Sequence, residues 1–135
     1  LSREKNLIKN TKNFQKNVDK WKINKKKQIN NLVKKYGPLP AKAFPGRASI
    51  LLNLLGLNKN HISAIYEKNS SLKINKYAPG TDIKILKEKY YFKEKEKKLM
   101  LNLAWHIKDE IKKYLRNELN YNGKVINIIS KGDFK

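Results

Sequence analysis

From Arg3 to Lys35 the apolar positions recur at intervals of three and four. Leu7, Thr11, Phe14, Val18, Trp21 and Leu32 fall on one stripe, the spacing of an amphipathic helix. No Gly or Pro occurs before Gly37. Lys25, Lys26 and Lys27 interrupt the stripe, so its second half is the weaker. Phe14 and Trp21 are the expected core anchors. On those two aromatics, packing against the chain's own domain, or a link to a preceding domain, outweighs a membrane-lying or partner-binding helix.

Gly37-Pro38-Leu39-Pro40 breaks the helix. Ala41–Phe44 is a short apolar segment that predicts a strand. Pro45-Gly46-Arg47-Ala48-Ser49 is a turn, and the apolar run from Ile50 predicts a helix stopped at Gly56. His61–Glu67 alternates β-branched and aromatic residues and predicts a strand. Asn69–Pro79 reads as loop, and Asp82–Leu86 as a short strand. Lys87–Lys98 is densely charged and reads as a short helix and loop. Leu99–Trp105 is the most apolar strand candidate and is expected at the sheet centre, where strands lose alternation. A helix is expected over His106–Leu119, a turn at Tyr121-Asn122-Gly123 and a last strand over Lys124–Ile129. Helices connecting strands imply a parallel sheet with right-handed crossovers. The expected architecture is therefore α/β: a Rossmann-like three-layer domain with a mostly parallel sheet. It occupies residues 37–135, and a linker helix occupies residues 1–36.

Composition narrows the functional classes. The chain has 135 residues and no cysteine, which suits one domain and excludes thiolate metal sites. The missing cysteine fits a reducing compartment, and the expected location is cytoplasmic. No apolar run reaches the roughly 18 residues of a membrane span. The net charge is +21, which points to anionic partners: nucleic acid, anionic lipid or a phosphorylated ligand. A/T-rich codon usage gives the same excess of Lys, Asn and Ile. Only Arg3, Arg47 and Arg116 are arginines, and recognition of bases and phosphates relies heavily on Arg. Codon drift is thus favoured over selected nucleic-acid binding.

Several segments carry candidate chemistry. Gly46 permits close backbone approach at a helix start, Arg47 can fork onto a pyrophosphate, and Ser49 can cap the helix or bond a phosphate. The plainer reading is an ordinary capped helix with an exposed arginine. Glu67 ends its strand where an open α/β sheet places a ribose-binding acid; the plainer reading is a surface charge beside lysines. Lys73 and Tyr77 lie in a loop stiffened by Pro79, Gly80 and Thr81, and the alternative is a loop that only positions the next strand. Trp105 and His106 precede Asp109 and Glu110, acids that suit a helix N-terminus. Catalysis by His106 is the weaker reading beside substrate contact or packing. With His61 and His106 the only histidines, no zinc site is expected.

Three stretches resemble the C-terminal domain of the S-adenosylmethionine-dependent sugar C-methyltransferases. They are Phe44–Ser49 with the helix after it, Tyr66–Ile83 including Tyr77-Ala78-Pro79-Gly80-Thr81, and Leu103–Ile111 with Trp105-His106 and Glu110. Phe44 or Pro45 stands where that family's turn has its first glycine, and Asn53-Leu54 stands for Asn-Tyr. The resemblance implies a domain that binds a nucleotide-linked sugar or similar phosphorylated substrate beside an S-adenosylmethionine-binding domain of the same protein. Its substrate-binding candidates are Gly46, Arg47, Ser49, Glu67, Lys73, Tyr77, Pro79, Gly80, Thr81, Trp105, His106 and Glu110. The chain lacks the zinc-binding cysteines and the Gly-rich methyl-donor loop, so this segment alone is expected to bind no cofactor and catalyse nothing. The rival readings are a basic nucleic-acid-binding protein and a structural or oligomerisation module.

Overall fold

The computed structural model describes residues 2–91 and 99–134. Helix α1 spans Ser2–Tyr36, and Gly37, at φ 78°, closes its last turn by donating its N–H to the Val33 carbonyl at 2.8 Å. Strand β1 (Leu39–Lys42) leads to α2 (Ala48–Leu54), then β2 (Ile62–Glu67), β3 (Ile85–Lys87) and α3 (Glu88–Tyr91). Strand β4 (Leu99–Asn102), a 3-10 turn at Trp105–Ile107, α4 (Lys108–Asn117), β5 (Lys124–Asn127) and a second 3-10 turn complete the order. Of the segment expected as short helix and loop, residues 92–98 lie outside the described residues.

The five strands form one parallel sheet in the order β3-β2-β1-β4-β5. The α/β architecture expected from the alternating strand and helix patterns is present, with every described strand pair parallel. The central strand is β1 rather than Leu99–Trp105. All four residues of β4 are buried, as a strand covered on both faces requires, but it lies one place off centre. Pro40 hides the centrality of β1, because proline is expected only at edges or bulges. The structure meets that rule with a register shift between Leu39 and Pro40 against β2, and pairing with β4 starts only at Ala41.

Side-chain alternation sorts the sheet into two faces. Ala41, Ile65, Ile85, Leu101 and Ile126 are register partners and pack with Trp21, Ile29, Ala48 and Leu52 of α1 and α2. Met100 faces the other way, onto Ile111 and Leu115 of α4 and onto Tyr121. The loop before β3 covers the sheet edge: Asn75 N–H donates to the Ile85 carbonyl and Ile85 N–H to that of Lys76, both at 2.8 Å.

Helix α1 reverses the expected weighting of its two halves. Leu7 and Phe14 are each 67% exposed, whereas Trp21 and Ile29 are buried. The interrupting lysines are tertiary contacts. Lys25 is buried and pairs with Asp133 at 3.1 Å. Lys26 donates to the carbonyls of Leu55 and Gly56 at 2.8 and 2.9 Å, capping the negative end of α2. No helix among the described residues is long and apolar enough to cross a membrane.

Candidate functional site

In an open parallel sheet, ligands bind beyond the carboxyl ends of the strands, where the strand order reverses. Here that point lies between β1 and β4. Chain leaving β1 turns at Ala43, whose φ of 67° is costly for a residue with a Cβ. Phe44 then returns into the core. Two predicted site residues hold this turn. Glu67, at the end of β2, accepts the Phe44 N–H, and Lys73 donates to the Phe44 carbonyl. The Lys73 ammonium also sits 5.6 Å from the Phe44 ring centre. Glu67 and Lys73 therefore shape the turn through its backbone, a role sequence reasoning missed.

Gly46 and Arg47 lie exposed at the tip of the turn. Among the described residues the Arg47 guanidinium takes part in no hydrogen bond or ion pair. Ser49 is a candidate helix cap by sequence, but Arg47 occupies that position and Ser49 Oγ donates to the Gly46 carbonyl at 3.0 Å. Helix α2 has only seven residues, so its dipole contributes little to anion binding.

The loop carrying Tyr77, Pro79, Gly80 and Thr81 is fastened to α2 by Asn53. Its Nδ2 donates to the Ser49 carbonyl at 2.7 Å and the Pro79 carbonyl at 2.9 Å. Gly80 has φ 75° and abuts the Asn53 amide so closely that a Cβ has no room. Thr81 Oγ1 donates to the Ala78 carbonyl at 2.8 Å and accepts from Ile83 N–H at 3.1 Å. Thr81 and Pro79 thus set the loop's shape, while the Tyr77 ring is exposed. Sequence reasoning saw Asn53 only within a motif; its position four residues after Ser49 was the available signal.

Trp105, His106 and Glu110 converge on a separate pocket of about 520 Å³ with Asp109, Ile129 and Ser130. It lies beyond the ends of β4 and β5. The strand stops at Asn102, so Trp105-His106 forms the 3-10 turn rather than the strand end. Asn102 makes that stop: fully buried, its Oδ1 accepts Ala104 N–H at 2.9 Å and its Nδ2 donates to Asn127 Oδ1 at 2.8 Å. The Trp105 and His106 rings meet edge to face at 5.6 Å. Among the described residues no carboxylate bonds to His106, so no orienting acid stands behind its ring. No hydrogen bond or ion pair among those residues joins the Trp105 pocket to the Arg47 turn.

Under the carboxyl end of β1 lies a buried charged group that the sequence did not reveal. Lys42 and Glu88 pair at 2.7 Å, and Tyr114 donates its hydroxyl to the other Glu88 oxygen. Burial, then the Glu88 hydrogen bond and the charges of Glu88 and Glu118, push the Tyr114 hydroxyl far above its usual range, so it remains a donor. A larger groove, about 780 Å³, runs between α1 and Leu55. It lies at the opposite end of the sheet and is lined mainly by lysines and asparagines.

A family model described as C-methyltransferase C-terminal domain matches residues 2–129. The chain belongs to this family. A comparison with curated proteins returns no match. The family match covers α1 as well as the sheet, so in this C-methyltransferase C-terminal domain the long helix is part of the family pattern. No glycine-rich G-x-G-x-x-G loop follows β1, and the Glu67 and Lys73 contacts occupy its turn.

Proposed function

We propose that this domain binds the phosphorylated acceptor, a nucleotide-linked sugar or close analogue, for a C-methyltransferase. Methyl transfer then takes place on an S-adenosylmethionine-binding part of the same protein, in the cytoplasm. The observation that carries this reading is the unengaged Arg47 at the tip of a braced turn, beside the strand-order reversal. A guanidinium there has donors for two phosphate oxygens at once. The braced Tyr77–Thr81 loop is fastened to the helix that follows the Arg47 turn. Trp105 offers an aromatic face for a sugar or base, and Glu110 an acceptor for hydroxyls. Glu67 and Lys73 act by keeping the Phe44 turn in shape.

The test is a titration with a deoxythymidine-diphosphate sugar, followed by amide NMR shifts. Binding should move Gly46, Arg47, Tyr77 and Trp105. Arg47→Ala should weaken it about tenfold or more, the loss of a charge-assisted bidentate contact. Silence at all four positions at millimolar ligand overturns the reading.

A further inference from the structure

Asp133 joins helix α1 to the Trp105 pocket. Among the described residues its carboxylate accepts four hydrogen bonds, about as many as its two oxygens can take. Two come from α1, the Trp21 indole at 3.1 Å and the Lys25 ammonium at 3.2 Å. Two come from Ser130, its N–H at 2.9 Å and its hydroxyl at 3.1 Å. Ser130 lines the pocket with Trp105 and Glu110, whereas Trp21 and Lys25 do not line it.

Charge makes this arrangement depend on α1. Lys25 is the counter-charge of Asp133, and their side chains are 4% and 17% exposed. Without that ammonium the carboxylate is left poorly hydrated, and turning toward water relieves it. Ser130 moves with that turn, because the same two oxygens hold its N–H and its hydroxyl. A lesser tie reaches the other lining segment. Lys25 makes a long contact to the Asn127 carbonyl at 3.5 Å, and Asn127 Oδ1 accepts from the amide of Asn102, the residue that sets the Trp105 turn. Ile29, buried on the same face of α1, contributes apolar packing and no bond to these groups.

We propose that Asp133 is a positioning residue for the Trp105 pocket, holding the Ser130 wall in place while α1 supplies Trp21 and Lys25. Docking of α1 and filling of the pocket then strengthen each other, since both favour the same placement of Asp133. The effect on ligand affinity rests on the acceptor-binding function proposed for this domain; the effect on the Ser130 wall does not.

Hydrogen exchange at the Ser130 amide reads the wall in the ligand-free chain. Lys25→Met should speed that exchange about tenfold relative to the core strands. Trp21→Phe keeps a ring and removes only the indole donor; it should act in the same direction, and it decides the matter if Lys25→Met does not fold. Ile29→Val trims the packing of the same helix face and should leave Ser130 exchange within about twofold of wild type. Titrated with a deoxythymidine-diphosphate sugar, Lys25→Met and Trp21→Phe should each bind at least about fivefold more weakly, and Ile29→Val as wild type. Unchanged Ser130 exchange in the folded variants overturns the proposal, as does equal acceleration in Ile29→Val. So does unchanged sugar affinity in a variant whose Ser130 amide has been freed. A wild-type chain that binds no sugar overturns acceptor binding instead, and Ser130 exchange still decides the role of Asp133.

Discussion

Gly80 and Asn53 show how a single residue fixes the loop that carries Tyr77. Alanine at Gly80 must adopt φ near 75° and displace the Asn53 amide. A left-handed non-glycine residue costs about 1–2 kcal/mol before any displacement, so Gly80→Ala should lower stability by about 2 kcal/mol in urea denaturation. Asn53→Ala should cost less, since its bonds lie at an exposed surface, but should broaden the amide signals of residues 77–81. Two further residues set the acid response. Burial, and then the Lys26 ammonium, depress the His61 pKa, and its Nδ1 accepts the Asn58 N–H. Burial alone raises the Asp133 pKa, but Ser130 N–H, Lys25 and Trp21 together outweigh it and lower the net value. Both groups are therefore less protonated in the folded chain than in the unfolded one. Their stabilisation is complete above their unfolded values, about 6.5 for His61 and 3.8 for Asp133, and is lost as pH falls through the lower folded values. The stability gap between wild type and Asp133→Asn should be open at about pH 6 and close progressively below 3.8. A gap that widens on acidification contradicts this assignment.

Elements were legible wherever periodicity was strong and misplaced wherever a polar residue did structural work. Helix α4 and strands β2 and β5 follow directly from their patterns. A strand was expected over Ala41–Phe44, but its start at Leu39 and its central place were not, because Pro40 and Lys42 make β1 look unlike a buried strand. Lys42 is buried only because Glu88 and Tyr114 wait for it from two other elements, a partnership 46 residues apart along the chain. No local pattern encodes that. Lys42→Met alone leaves Glu88 a buried, uncompensated carboxylate and should cost about 3–5 kcal/mol. Adding Glu88→Leu and Tyr114→Phe should recover most of that loss, because a packed apolar group often matches a buried ion pair. Chemical denaturation of the single and triple variants decides it. If the triple variant is no better than the single, the group does more than neutralise itself.

At the scale of the whole molecule, sequence motifs named the family and the parallel sheet. They could not show which motif residues face solvent and which brace backbone, because that depends on which turn each side chain reaches. Arg47 and Tyr77 are open, whereas Glu67, Lys73 and Thr81 are engaged with main chain. The charge of the chain stands largely uncompensated: the two ion pairs among the described residues are both largely buried. A surface of that kind retains polyanions without reading them. Retention on random-sequence DNA should be measurable at low salt and vanish by about 0.5 M, without sequence preference. Specific retention above that salt would favour a nucleic-acid-binding role over acceptor binding.

The Asp133 contact to Trp21 joins residues 112 positions apart, and this bears on how the chain is made. During synthesis α1 emerges before the strands it packs on, and the carboxylate that receives its buried Lys25 and the Trp21 indole follows 108 residues after Lys25. Until then, docking the helix would bury an ammonium group with no counter-charge. The docking of α1 thus waits on a residue made long after it, and Trp21 fluorescence on stalled nascent chains should change only once Asp133 has cleared the ribosome.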